Sequence, residues 1–302
     1  IYHLCLWSRL ANRIQLILLR GEVLNQGTLY KLCHQYPWER VFSPDKTLGI
    51  EFHGMSTEIR NTMFGAQVVK DAIADYFRET QNERPVIDRE NPQVRLHAYL
   101  KHDTLTVSFD LTGFSMHQRG YRTEAGAAPL KENIAAAMLI RAKWPAMAAN
   151  NEALHDPFCG SGTLVIEAAM MAANIAPGLL RQDQSLQYWT AHQPLLWDEA
   201  RDKALRAIKP VTTVYRGTDI DADIIRIATS NAQRAGVSAW VEFTCLPLDA
   251  CRPTAKNGLL ISNPPYGERL SDATQLIPLY QQIGQTIHAY YQGWHAAILT
   301  SN

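Results

Sequence analysis

The sequence reads as an α+β module joined to an α/β, Rossmann-like domain, and three patterns carry that reading. The first third mixes short alternating segments with one long helical face. A strand, a glycine turn and a helix then follow one another between Leu154 and Ala173. After them, three short strand-like segments are each followed closely by Asp or Asn, the way parallel strands deliver polar side chains to one edge of a sheet.

Taken in order, Tyr2, Leu4, Leu6 and Leu10 open the chain in a helix-like pattern without an initiator Met, so a fragment of a longer protein is expected. Ile14, Leu16 and Leu18 alternate as a strand over 13–19, residues 28–36 are weakly helical, and Leu48, Ile50 and Phe52 alternate again. Between 61 and 77 the apolar positions 64, 68, 69, 72, 73 and 76 form one helical face. Residues 81–92 are polar, carry two prolines and read as a loop. Val94 to Leu100 alternates against Leu105 to Phe109 across Lys101-His102-Asp103, a hairpin. Residues 1–112 therefore read as a binding module without a catalytic constellation of its own.

Residues 113–130 read as a connector. Within it Arg119-Gly120-Tyr121-Arg122 sets two arginines around an aromatic ring, which suits a phosphate beside a stacked base. Arginines in connectors also stay solvated or pair with carboxylates, and both alternatives stand. Residues 131–143 form an Ala-rich helix expected to pack on the domain that follows, which runs to 302.

In that domain, Asp156 ends the first strand and Gly160 and Gly162 make the turn into a helix. Glycines there allow positive φ and close approach of a ligand to the backbone. The third glycine of the dinucleotide fingerprint is missing, since Val165 occupies its place. A carboxylate at the strand end suits a cationic ammonium better than a pyrophosphate. Residues 211–218 form the second strand. Asp219 after it can accept ribose hydroxyls, and Asp221 is expected to cap the helix that starts at Ala222 and stops at Gly236. Asp219 lies 63 residues after Asp156, against about 20 in the usual unit. An insertion over roughly 176–209 accounts for the excess, with Tyr188, Trp189 and Trp197 as packing residues. Trp240 to Cys245 is the third strand, and Asp249 just beyond it is placed to accept from an adenine amino group.

Leu259 to Ile261 is a fourth, buried strand, and it must stop at Asn263 because Pro264 and Pro265 cannot continue it. The Asn263 side-chain oxygen and the rigidly held Pro264 carbonyl are two acceptors, and Tyr266 adds a flat face. That set fits a planar group bearing an exocyclic NH2. Accepting both of its hydrogens turns the nitrogen lone pair toward an electrophile without a strong base. Ala296 to Thr300 closes the pattern as a last strand.

Composition narrows the setting. The chain is 46% hydrophobic with formal charge zero, so no strongly basic field advertises a nucleic-acid partner. Five cysteines without paired metal spacing suit free thiols, which points to the cytoplasm and to no metal site. No apolar stretch is long enough to span a membrane.

The Asp156-Pro157-Phe158-Cys159-Gly160-Ser161-Gly162-Thr163 turn and the run Asn263-Pro264-Pro265-Tyr266-Gly267-Glu268-Arg269-Leu270 resemble the THUMP-domain class I methyltransferases. Arg119 to Arg122 and the helix after Arg60-Asn61 are similar to the bacterial group that methylates guanine N2 in large-subunit ribosomal RNA. The resemblance spans nearly the whole chain. It implies a THUMP-type RNA-binding domain over 1–112, lacking its amino-terminal part, and a class I methyltransferase domain over 131–302, lacking its last strands. It further implies S-adenosylmethionine as cofactor, with Asp156, Gly160, Ser161, Gly162 and Thr163 on the methionine side, Asp219 at ribose and Asp249 at adenine. Asn263, Pro264 and Tyr266 would act on the guanine, and Arg119 and Arg122 would contact RNA. Ribosomal RNA or its precursor particle is the implied partner, with a fused second methyltransferase domain absent here. Alternatives are methylation of adenine N6 or of transfer RNA guanine, or an RNA-binding assembly factor without turnover.

Overall fold

The computed structural model describes residues 1–123, 129–181, 185–265 and 276–300. Contacts divide the chain into two compact units, one of Arg13–Ser115 with Asp183–Asp198, the other of Ile1–Asn12, Met116–Gln182 and Glu199–Asn302. The chain opens with α1 (Tyr2–Trp7), which belongs to the second of these.

The first unit contains β1 (Gln15–Glu22), α2 (Gln26–His34), β2 (Leu48–His53), α3 (Thr62–Gln81), β3 (Val94–Lys101) and β4 (Thr104–Asp110). Its sheet has the order β1-β4-β3-β2. The β3–β4 hairpin and the β1–β4 pair are antiparallel, whereas β2 and β3 are parallel because the chain crosses between them through α3. Asn61 starts α3 by accepting from the Met63 and Phe64 amides, and Asn82 ends it with φ 55°. The polar residues 78–81 continue the helix beyond its apolar face, which is why it outruns the expected 61–77. Val68, Val69, Ala72, Ile73 and Phe77 are buried along that face. Gly65 is needed there, since an added Cβ would meet the Phe52 ring of β2 at 2.8 Å.

The second unit continues with α4 (Glu132–Arg141), α5 (Trp144–Ala149), β5 (Ala153–Asp156), α6 (Thr163–Ala172), the part of α7 (Pro194–Arg206) from Glu199 onward, and β6 (Tyr215–Asp219). Then come α8 (Ala222–Arg234), β7 (Val241–Cys245), β8 (Gly258–Ser262), α9 (Leu276–Tyr290) and β9 (His295–Ile298). The sheet is parallel throughout, in the order β7-β6-β5-β8-β9. Every residue of β5 and β8 is buried, as strands covered on both faces must be. The chain steps outward from β5 through β6 to β7, then returns to the other side of β5 with β8 and β9. The sheet therefore has its switch point between β5 and β8, where such folds bind ligands at the carboxyl ends of the strands. The helix expected over 131–143 divides at Lys143, φ 62°, because Pro145 permits a new first turn and not a continuous one.

Two boundaries depart from expectation. Ile1–Asn12 does not join the amino-terminal unit: Arg9 donates to Ile175 O at 2.6 Å and accepts on its own carbonyl from Arg119 at 2.6 Å. Gly178 passes so close that an added Cβ would lie 2.6 Å from Cys5 O. The insertion is also shared. Its base is tied in the second unit by Lys209 N to Ala173 O, 3.0 Å, and Asn174 Nδ2 to Ala207 O, 3.1 Å. Its middle packs in the first unit, where Leu186 N reaches Leu111 O and Thr190 N reaches Val41 O, each at 2.9 Å. Tyr188, Trp189 and Trp197 are half-buried there. No described helix is long and apolar enough to cross a membrane.

Candidate active site

At the end of β5 the Asp156 side chain is buried, yet its Oδ1 has two donors: Ser262 Oγ at 2.6 Å and the Phe158 amide at 3.1 Å. Burial pushes this carboxyl up to about 7 against those donors, and the nearby Asp219 adds to the rise. The carboxyl is therefore only partly ionised near pH 7, and a cation beside it would favour the charged form.

The turn that follows uses its two glycines differently. Gly160, φ 52°, has no heavy atom within 4 Å of where a Cβ would stand. Gly162, φ 83°, is packed so tightly that a Cβ would meet the Phe243 ring at 2.7 Å. One leaves open space and the other lets α6 close on β7. Asn231 on α8 donates to Ser161 O at 3.0 Å, and Gly160 N donates to Asp219 Oδ2 at 3.0 Å, so the loop is held from the neighbouring strand. Asp219 Oδ1 also accepts from Asp221 N at 3.2 Å. Each carboxylate oxygen retains a further lone pair. Asp221 caps α8, accepting from Asp223 N at 2.8 Å, as its position suggested.

These groups open onto one cavity of 460 Å³, within the range of small-ligand sites. Asp156, Gly160, Ser161, Thr163, Asp219 and Asn263 all line it. Asn263 Oδ1 is buried and has no hydrogen-bond partner among the described residues. An acceptor left so costs about 1–3 kcal/mol, and a bound donor would restore it. Phe158, Ile220, Ile224 and Pro265 line the cavity too. Ile220 is 76% exposed, so packing within the chain does not account for it.

Several expected site residues are elsewhere. Asp249 is exposed in a short helical turn, Leu248–Ala250, and does not line the cavity. The chain leaves β7 through Leu246 and Pro247, and that turn carries the carboxylate to the surface. Gly162 serves packing and does not face the cavity. Pro264 is buried behind it, with Pro265 at the wall instead. Tyr266 lies outside the described residues.

Arg119 and Arg122 are not free to meet a phosphate. Arg119 is 1% exposed, with Nε 3.3 Å from Glu167 Oε1 and its other nitrogens on the Met116 and Arg9 carbonyls. Arg122 lies 2.7 Å from Glu132, whose burial lifts it to about 7, and donates to Leu130 O at 2.9 Å. Tyr121, between them, is buried with its hydroxyl 3.5 Å from the same Glu167 oxygen. Of the two readings of this motif, pairing with carboxylates holds.

One polar network behind the cavity escaped the pattern analysis. His155 meets Tyr291 OH at 2.6 Å and Thr218 Oγ1 at 3.1 Å, and Thr218 continues to Cys251 Sγ at 3.2 Å. Burial lowers His155 to about 4, so it is neutral near pH 7 and joins β5, β6 and the segment after α9 without adding charge. No local spacing signals this set, because its members lie up to 136 residues apart.

The family model described as RMKL-like, methyltransferase domain, matches residues 119–302, and the THUMP domain model matches residues 25–110. The Legionella pneumophila (strain Corby) protein named Ribosomal RNA large subunit methyltransferase K/L is 64% identical over all 302 residues. The Pseudomonas aeruginosa PAO1 protein of that name is 46% identical over 306. The chain spans 43% and 42% of these two relatives. A Listeria monocytogenes crystal structure described as a predicted N6-adenine-specific DNA methylase superposes with TM-score 0.86 at 29% identity, covering 100% of this chain and 78% of that one. The structure of SMU.472 complexed with SAH gives the same score, identity and coverage.

Proposed function

Because the chain belongs to the RMKL-like methyltransferase domain family and carries a THUMP domain ahead of it, we propose that it methylates the exocyclic N2 amine of a guanosine in large-subunit ribosomal RNA. The observation that carries the chemistry is the unpartnered Asn263 Oδ1 in the wall it shares with Asp156 and Gly160. The SAH complex of a relative at 29% identity supports S-adenosylmethionine as donor, and the residues here fit it. When bound, that cofactor supplies a methyl group made electrophilic by its sulfonium.

The chain's own groups do the rest. Asp156 holds the ammonium end, Gly160 admits it close to the backbone, and Asp219 accepts hydroxyl hydrogens on its remaining lone pairs. Ile220 and Ile224 offer apolar surface to a flat ring. Asn263 Oδ1 accepts from the target amine and turns its lone pair inward. Tyr266 we assign, by sequence, to stacking on a base taken out of its helix, which costs a few kcal/mol of unstacking. Positioning replaces base catalysis here, because an alkylated amine gives up its proton to water.

A planar NH2 is common to guanine N2 and adenine N6, and the Listeria protein is described as an adenine enzyme. The name of the 64% identical relative and the THUMP domain support ribosomal RNA as the substrate instead, and guanine N2 is our assignment within it. We assign the reaction to the cytoplasm, which the free cysteines support.

The test is incubation with labelled S-adenosylmethionine and deproteinised, unmodified large-subunit ribosomal RNA, followed by nucleoside identification. Label in N2-methylguanosine is expected. Label in N6-methyladenosine would replace the base, and cofactor binding without any RNA label would favour a binding-only assembly factor.

A further inference from the structure

On the outer face of the first unit's sheet, Glu51 and His53 stand two residues apart on β2, and His97 is the register partner of Glu51 on β3. Alternation along a strand and direct pairing across strands put all three side chains on one face. Their nearest ligand atoms all lie within 4.8 Å of one another. Glu51 Oε2 is 3.4 Å from His97 Nδ1 and 3.8 Å from His53 Nε2. Donors bound to one tetrahedral zinc at about 2.0–2.1 Å stand roughly 3.3 Å apart, so the spacing is close to that of a ligand set.

The surroundings match as well. His97 Nε2 faces Asp110 Oδ2 at 3.4 Å, and Asp110 is itself buried and paired with Arg13. A carboxylate on the far nitrogen of a histidine fixes its tautomer and leaves the near nitrogen as a lone-pair donor, the usual support of a metal-bound imidazole. Arg95 takes Glu51 Oε1 and leaves Oε2 turned to the histidines. A proton on His97 would also satisfy Glu51, but it would not require the second imidazole. His53 stacks on His97 at 12° between planes and brings its nitrogen to the same oxygen.

We propose that Glu51, His53 and His97 form a binding site for a zinc-class divalent ion that ties edge strand β2 to β3. The His53 side chain is 59% exposed, so the ion would keep a position open to solvent.

The test uses the full chain with Cys245→Ser, which removes the exposed thiol, stripped by chelation and titrated with Zn2+ alone in a calorimeter. One ion per chain is expected, and Co2+ in its place should give visible absorption bands of a tetrahedral site. Losing an outer partner of a metal ligand weakens binding about 10–100-fold, so His53→Ala should weaken it at least about tenfold and bleach the cobalt spectrum. His53 is exposed and the variant should stay folded, which circular dichroism checks. Absence of saturable binding, or binding unchanged by His53→Ala, would overturn the proposal.

Discussion

Ser262 donates its hydroxyl hydrogen to Asp156 Oδ1 across 2.6 Å, with both residues buried. The bond joins the carboxylate at the end of β5 to the residue directly before Asn263, across the switch point of the sheet. The two halves of the proposed site, the one assigned to a cation and the one assigned to an amine, are thus one hydrogen bond apart.

A consequence is a pH-dependent affinity for the methyl donor. Burial raises Asp156 to about 7, and an ammonium is held only by the ionised form, so affinity falls as pH drops through 7, by up to about tenfold per unit. The Ser262 hydroxyl favours the charged form. Ser262→Ala should move the transition to higher pH and cost about tenfold in donor affinity near pH 7. Ser262→Thr should restore it. Calorimetry across pH 5.5–9, on order-of-unit steps in pH, checks both; a loss equal at every pH would mean that Ser262 is only structural.

The two turn glycines should separate folding from binding. Gly162→Ala puts a Cβ at 2.7 Å from Phe243 at φ 83°, and should cost roughly 2–4 kcal/mol of stability through strain and overpacking. Gly160→Ala meets no atom within 4 Å, so only the left-handed backbone penalty of about 1–2 kcal/mol applies. Its Cβ instead occupies the cavity and should weaken donor binding far more than it lowers the melting temperature. Thermal unfolding and donor titration of both variants give the comparison.

What the sequence made legible were features whose physics is local. The β5–turn–α6 unit, the Asp221 cap, the α3 start at Asn61 and the stop at Asn263 each depend on neighbours within a few residues. Asp249 lies off the cavity wall because a position beyond a strand end depends on the turn that follows, not on the strand. Arg119 looks like a connector arginine until the fold brings Glu167, 48 residues away, against it. Arg9 likewise donates to a carbonyl 166 residues on, a link that no local pattern signals. Pro278 and Gly284 disguise α9, although a proline in a first turn is tolerated.

Arg119 offers a direct check on that correction. Its guanidinium is the ion-pair partner of Glu167, which is fully buried, so Arg119→Gln breaks a buried pair and should cost about 3–5 kcal/mol. A phosphate contact would instead leave stability intact and reduce the salt dependence of RNA binding by about one ion. Denaturation and RNA titration against salt separate the two outcomes, and the expected result is a large loss of stability with an unchanged slope for the fraction that folds.

Asn263 should divide binding from turnover. Its Oδ1 has no partner among the described residues, so Asn263→Ala removes an unsatisfied acceptor and should leave stability unchanged or slightly raised. Donor affinity should stay within about twofold, because Asp156 and Asp219 hold that end through other atoms. Turnover should fall by about 10²-fold or more, the scale of losing one preorganised polar contact to the reacting group. Asn263→Asp keeps an acceptor in place and should recover part of the rate, more so at high pH, where the side chain is ionised. Single-turnover rates beside donor titrations provide the measurement. A parallel loss of donor affinity and rate would move Asn263 from the amine to the cofactor.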